Sequence, residues 1–179
     1  MNLFYFVQNL VESYGIDSSE ANYLINEREL WFIPVVNPDG YIYNEQIEPN
    51  GGGMHRKNRR DTGCGLGTQR GVDLNRNYGY GWGANDTGSS PDPCSAIYRG
   101  ESAFSEPEIE IVKDFILNRN FKNVLHYHSF GNVYIHPFGD GSYPDYGDLM
   151  IYRGLAQEMS DFNNFNFGTG YETIGYTVN

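Results

Sequence analysis

Positive charge is scarce in this chain. Twelve Lys and Arg stand against 23 Asp and Glu in 179 residues, a formal net charge of −11. That balance argues against nucleic acid or an anionic membrane surface as a partner. Long hydrophobic runs are also absent: no apolar stretch approaches the roughly 18 residues that cross a bilayer. The opening Met1-Asn2-Leu3-Phe4-Tyr5-Phe6-Val7 has no basic start and no small-residue cleavage site, so it does not read as a signal peptide. Internal repeats and low-complexity tracts are missing. Cysteine is limited to Cys64 and Cys94, both in Gly-, Asp-, Ser- and Pro-rich sequence. Two loop cysteines suit a disulfide, with a stabilisation of about 3–4 kcal/mol in the chain-entropy model and an extracytoplasmic address. Two unpaired thiols in a cytosolic protein are the alternative. The length predicts one domain, able to bury roughly 70% of its unfolded surface.

Where the few cations fall is therefore informative. Arg56, Lys57, Arg59 and Arg60 lie within five residues, and Arg70 and Arg76 follow. Such a segment in an acidic chain suits an anionic group on a ligand; a solvated charge run is the usual alternative. Gly71 to Gly83 places Asn75, Arg76 and Asn77 side by side before a glycine-rich loop. Arg offers a planar fork of donors that matches a carboxylate, and Asn adds an amide donor beside it. The run reads either as a holder for an anion or polarised carbonyl, or as a turn whose Arg pairs with a structural Asp.

Leu3, Phe6, Val7, Leu10, Val11 and Tyr14 recur at helical spacing and Gly15 is a natural stop. A second helix is expected from Ser19 to Asn26. Leu30 to Val36 is a continuous apolar run, the mark of a strand buried on both faces, and Asn37-Pro38-Asp39-Gly40 is expected to break it. Residues 41–104 read mostly as loop, and loops that long are usually functional. Ser105-Glu106-Pro107-Glu108 opens a helix, with Ser105 as cap and Glu108 closing a capping box; Ile109, Val112, Phe115 and Ile116 form its stripe. Phe121 to His128 reads as a strand, Gly131 to Pro137 as a further extended segment, Leu149 to Phe162 as a helix and Gly168 to Asn179 as loop or strand. Helices alternating with buried strands give an α/β class, with helices flanking a central mixed sheet.

Five segments, in order, now resemble the zinc carboxypeptidases. They are Pro34-Val35-Val36-Asn37-Pro38-Asp39-Gly40-Tyr41; His55-Arg56-Lys57-Asn58-Arg59; Gly71-Val72-Asp73-Leu74-Asn75-Arg76-Asn77; Pro93 to Gly100 with Ala103 to Glu108; and His128-Ser129-Phe130 with Pro137-Phe138-Gly139. The resemblance implies roles. His128 would be a Zn²⁺ ligand. Arg56 would polarise the scissile carbonyl and stabilise the oxyanion. Asn75 and Arg76 would bind the free C-terminal carboxylate of a peptide or protein substrate, a bidentate contact that only a chain end can offer. Tyr176 would close over the substrate, although this match needs a one-residue shift and Tyr171 is the alternative. Cys64 and Cys94 fall where many members carry a disulfide, and the implied location is extracellular or periplasmic. His126 shares a strand face with His128 and reads as a neighbour or supporting group; His55 and His136 show no ligand pattern.

The family's metal site takes three protein ligands and leaves an open position for water. Two come from a His-x-x-Glu motif, yet three positions after His55, His126, His128 and His136 stand Asn58, Ser129, Gly131 and Gly139. The strand-borne general-base Glu of the family also finds no counterpart. The expectation is thus a single partial peptidase domain over residues 1–179, truncated at both ends, from a zinc-dependent metallocarboxypeptidase that releases C-terminal residues, and inactive as it stands. Two other readings are a non-catalytic module that binds peptide C-terminal carboxylates, and an amidase of the same fold acting on cell-wall peptides.

Overall fold

The structure is a computed structural model and describes residues 2–17, 19–129 and 131–177. Phe130 of the His128-Ser129-Phe130 motif and the last two positions of the expected 168–179 segment lie outside the described residues. The chain divides into two compact units, one of residues 1–36 with 122–129 and one of residues 37–121 with 130–179.

The first unit opens with α1 (Asn2–Glu12) and α2 (Glu20–Glu27), which pack together around Leu10 and Ala21. Ser19 caps α2 by accepting from the Ala21 amide, as its sequence position predicts. Phe6 of α1 meets Phe32 with ring centroids 6.0 Å apart. The two apolar runs of this unit depart from expectation. Neither 30–36 nor 122–128 forms strand ladders among the described residues, and their side chains are not buried on two faces: Trp31 is 47% and Leu125 63% exposed. A continuous apolar run states a demand for cover, which neighbouring strands and helices must meet; within this unit they do not.

In the second unit, Asn37-Pro38-Asp39-Gly40 starts a helix rather than a break. The Asn37 side chain accepts from the Gly40 amide, Pro38 takes the first helical position, and α3 runs Pro38–Ile47. The same residue types serve turns and helix N-termini, so the sequence alone did not separate them. The long irregular stretch beyond α3 contains a single 3₁₀ turn, Leu74–Arg76. α4 (Pro107–Leu117) follows, with Ile109 and Val112 buried. Its N-cap is Glu106, not Ser105, and no side chain caps it; Ser105 Oγ instead donates to Glu106 Oε1 at 2.8 Å. Glu108 likewise turns to Asn58 rather than closing a capping box.

β1 (Val133–Ile135) and β2 (Asn166–Gly168) form a parallel pair, Tyr134 opposite Phe167. α5 (Tyr146–Ser160), starting three residues earlier than its apolar pattern indicates, packs on β2 through its Ala156 side. α6 (Gly170–Ile174) forms where loop or strand was expected, because Thr169 and Glu172 close a capping box. The chain is α/β. Its described sheet is this parallel pair, smaller than the mixed sheet read from the sequence, since the 30–36 and 122–128 runs do not join it.

Candidate functional site

The geometry begins at Gly71. Its φ of +101° suits glycine, and a Cβ there would strike the carbonyl oxygen of Asn58. That close approach lets residues 71–73 lie against 57–58. Asn58 N donates to Val72 O at 2.9 Å, Asn58 Oδ1 accepts from Val72 N at 2.8 Å, and Lys57 bridges Asp73 in antiparallel fashion. Asp73 then caps the 3₁₀ turn, its Oδ1 accepting from Asn75 N at 3.2 Å. Its Oδ2 lies 2.8 Å from Nε of Arg56, a contact of charges without the alignment of a hydrogen bond. Asp73 is buried. Burial pushes its carboxyl above the ordinary range, and Arg56 and then Arg76 pull it back.

Two of the expected site residues therefore meet this carboxylate, Arg56 through Nε and Asn75 through its backbone N–H, and Arg76 follows on the same turn with its backbone N donating to Asp73 O at 2.9 Å. Arg56 is 45% exposed at its side chain, and the Asp73 contact uses Nε, leaving the Nη edge of the guanidinium toward solvent. Asn75 is exposed. Arg76 is buried: Nε donates to Gly88 O at 2.6 Å and Nη1 to Asn75 O at 3.0 Å. The expected two-pronged fork is thus partly committed to backbone, and no hydrogen bond among the described residues engages Nη2. Arg76 arrives pre-set, and among the described residues no hydrogen bond engages its Nη2 or the side-chain amide of exposed Asn75.

The other cations of the 56–60 cluster have partners within the protein, Lys57 buried and Arg59 and Arg60 partly exposed. Lys57 is buried and its ammonium donates to Gln69 O (2.6 Å), Ser95 O (2.8 Å) and Pro93 O (3.1 Å). Burial lowers its pKa, opposed by Asp73 and Asp92. Arg59 donates to Leu66 O and Gly67 O and lies 3.7 Å over the Tyr43 ring. Arg60 pairs with Glu106 at 2.7 Å. Glu106 is fully buried and also accepts from Asn58 Nδ2 at 2.7 Å. Asn77, equally buried, donates to Arg99 O, Ser102 O and Ser105 Oγ and accepts from the Glu106 amide. Sequence reasoning missed this polar core. Its signal was a density of Asn, Arg and Glu in a loop too long to be unstructured; no hydrophobic period marks it.

Cys64 and Cys94 form a disulfide, as two loop cysteines suggested. His128 lies on the exposed 122–128 run. Tyr176 is 48% exposed just beyond the left-handed Gly175 that ends α6, and Tyr171 is exposed on α6 itself. His55 is buried against Tyr43, and burial lowers its pKa. His136 is buried and stacked on Tyr152. Among the described residues no group of three or more His, Cys, Asp or Glu is placed to hold a metal ion. The donor set here does not fit Zn²⁺.

The model of the zinc carboxypeptidase family matches residues 2–177, and the chain belongs to that family. Carboxypeptidase B of Astacus astacus is 34% identical over 176 residues, covering 97% of this chain and 55% of that protein. An inactive metallocarboxypeptidase of Arthroderma otae is 32% identical over 141 residues, 75% of this chain and 22% of its own length. The crystal structure of carboxypeptidase A from Helicoverpa armigera superposes with a TM-score of 0.75 at 28% identity, over 98% of this chain and 42% of that one. The chain spans about half, or less, of the length of the relatives it matches.

Proposed function

We propose that this chain carries the part of a metallocarboxypeptidase site that recognises the end of a peptide. Asn75 and Nη2 of Arg76 bind the free C-terminal carboxylate, and the outward Nη edge of Arg56 meets the carbonyl of the last peptide bond, where an oxyanion would develop during hydrolysis. Tyr176, or Tyr171, closes over the bound end. The observation that carries this reading is that Arg56 and the Asn75–Arg76 turn are both anchored on buried Asp73, Arg56 and Asn75 N at its carboxylate and Arg76 N at its backbone oxygen. In an acidic protein whose other clustered cations are committed to structure, these three are the donors left for an anion. The cystine supports an oxidising, extracytoplasmic setting.

His128 is the one candidate metal ligand, and a lone imidazole does not hold Zn²⁺ in a catalytic geometry. The 179-residue chain therefore binds peptide ends without hydrolysing them. The test pairs two measurements on it. Added zinc should give no release of the terminal residue from a blocked dipeptide; turnover at an enzyme's rate overturns that half. The same dipeptide should bind better as the free acid than as its C-terminal amide, and equal binding overturns end recognition. A non-catalytic binding module is the second reading, favoured by the inactive relative from Arthroderma otae.

A further inference from the structure

Asp73 is the side chain that both halves of the pocket share. One oxygen meets the guanidinium at Arg56, from one loop segment; the other meets the amide of Asn75, from another. Its own backbone is fixed on both sides, by the bridge to Lys57 and by Asp73 N donating to Tyr98 O at 2.8 Å. A buried carboxylate is costly to keep unless its charge is used. In so dry a setting its attraction for Arg56 is little screened. We propose that Asp73 is a positioning residue that sets the distance between the carbonyl-directed Arg56 and the carboxylate-directed Asn75–Arg76 turn. It thereby measures the last residue of the bound peptide, from its carboxylate to its scissile carbonyl. The inference rests on the end-recognition reading above.

The arrangement has a built-in asymmetry. Arg56 is half exposed and tethered through Nε alone, so without the carboxylate it is free to swing. The 3₁₀ turn has other supports, including Asn77 N to Leu74 O at 3.2 Å and Arg76 Nε to Gly88 O. Removing the charge should release Arg56 first and loosen the turn second.

The experiment is binding of a blocked dipeptide, as free acid and as C-terminal amide, to the 179-residue chain and to Asp73→Asn, Arg56→Gln and the double variant. Asp73→Asn keeps the bulk and removes the charge that faces Arg56 Nε at 2.8 Å, and it should weaken the free acid by about tenfold, the low end of what loss of one partner of a close charge pair costs. Arg56→Gln should then cost less than twofold on the Asp73→Asn background, because the guanidinium has already lost its seat. Additive effects of the two substitutions, or a preference for acid over amide that survives Asp73→Asn within twofold, overturn the positioning role while leaving end recognition standing. If the unsubstituted chain binds acid and amide alike, end recognition itself fails and this inference with it. A second readout needs no variant: in the unsubstituted chain the Asn75 backbone amide proton, which donates to Asp73 Oδ1, should be protected from solvent exchange by NMR, and its rapid exchange overturns the proposal.

Discussion

The loop region from 55 to 106 and the apolar runs at 30–36 and 122–128 invert the usual expectation. The first is rich in Gly, Asn and charge and has almost no regular secondary structure, yet it contains several of the fully buried side chains among the described residues: Lys57, Asp73, Asn77, Glu106. The second is Val-, Ile-, Leu- and Trp-rich and stands half open to solvent. The difference lies in where each region finds its partners. Glu106 has Asn58, Arg60 and Ser105; Lys57 has three carbonyls; these partners all come from within the same unit. An apolar run has no such internal closure, since its stability comes only from what covers it.

The most severe way to break this contrast is Glu106→Ala. It strips Arg60 and Asn58 of a buried acceptor and should cost about 3 kcal/mol, read from the shift in the urea midpoint. A cost below about 1 kcal/mol would show the polar core to be ornamental. A smaller effect comes from pH. Burial lowers the pKa of His55 from its ordinary 6.5, so the unfolded chain takes up the proton first as pH falls. The stability it contributes is whole above about 6.5 and drains away below it. Between pH 7.5 and 5 the urea midpoint should fall, and His55→Asn should flatten that slope; an unchanged slope places the titration elsewhere. Smallest of all is Leu125→Ala, expected to change stability by no more than about 0.5 kcal/mol because the side chain is already 63% exposed. A cost like that of Glu106→Ala would mean the run is covered in solution.

The helices with a self-contained signal were legible in the sequence: α2 from Ser19, α4 from Pro107 and its stripe. The Asn37–Gly40 start was not, because Asn, Pro, Asp and Gly punctuate turns and helix N-termini alike, and only the Asn37-to-Gly40 bond decides. The strand at 30–36 was over-read, because a continuous apolar pattern records a need for neighbours without supplying them; 121–128, where Lys122, Asn123, His126 and His128 interrupt the apolar residues, was also read as a strand and forms no ladder. The motif pointed to Arg56, Asn75 and Arg76, and Asp73 touches each of them, Arg56 and Asn75 N through its carboxylate and Arg76 N through its backbone oxygen. What the motif did not reveal was the division of labour among adjacent cations. Along the extended 56–57 step successive side chains face opposite ways, so Arg56 turns to Asp73 and solvent while Lys57 turns inward.

That inward ammonium has a bearing on chemistry far from any substrate. Two of its three acceptors, Pro93 O and Ser95 O, flank Cys94. The segment around this half-cystine is therefore fastened twice, once by sulfur and once by nitrogen. In a reducing milieu the covalent tie would be lost but the electrostatic one would hold, so the floor beneath the 3₁₀ turn is built to outlast its own cross-link.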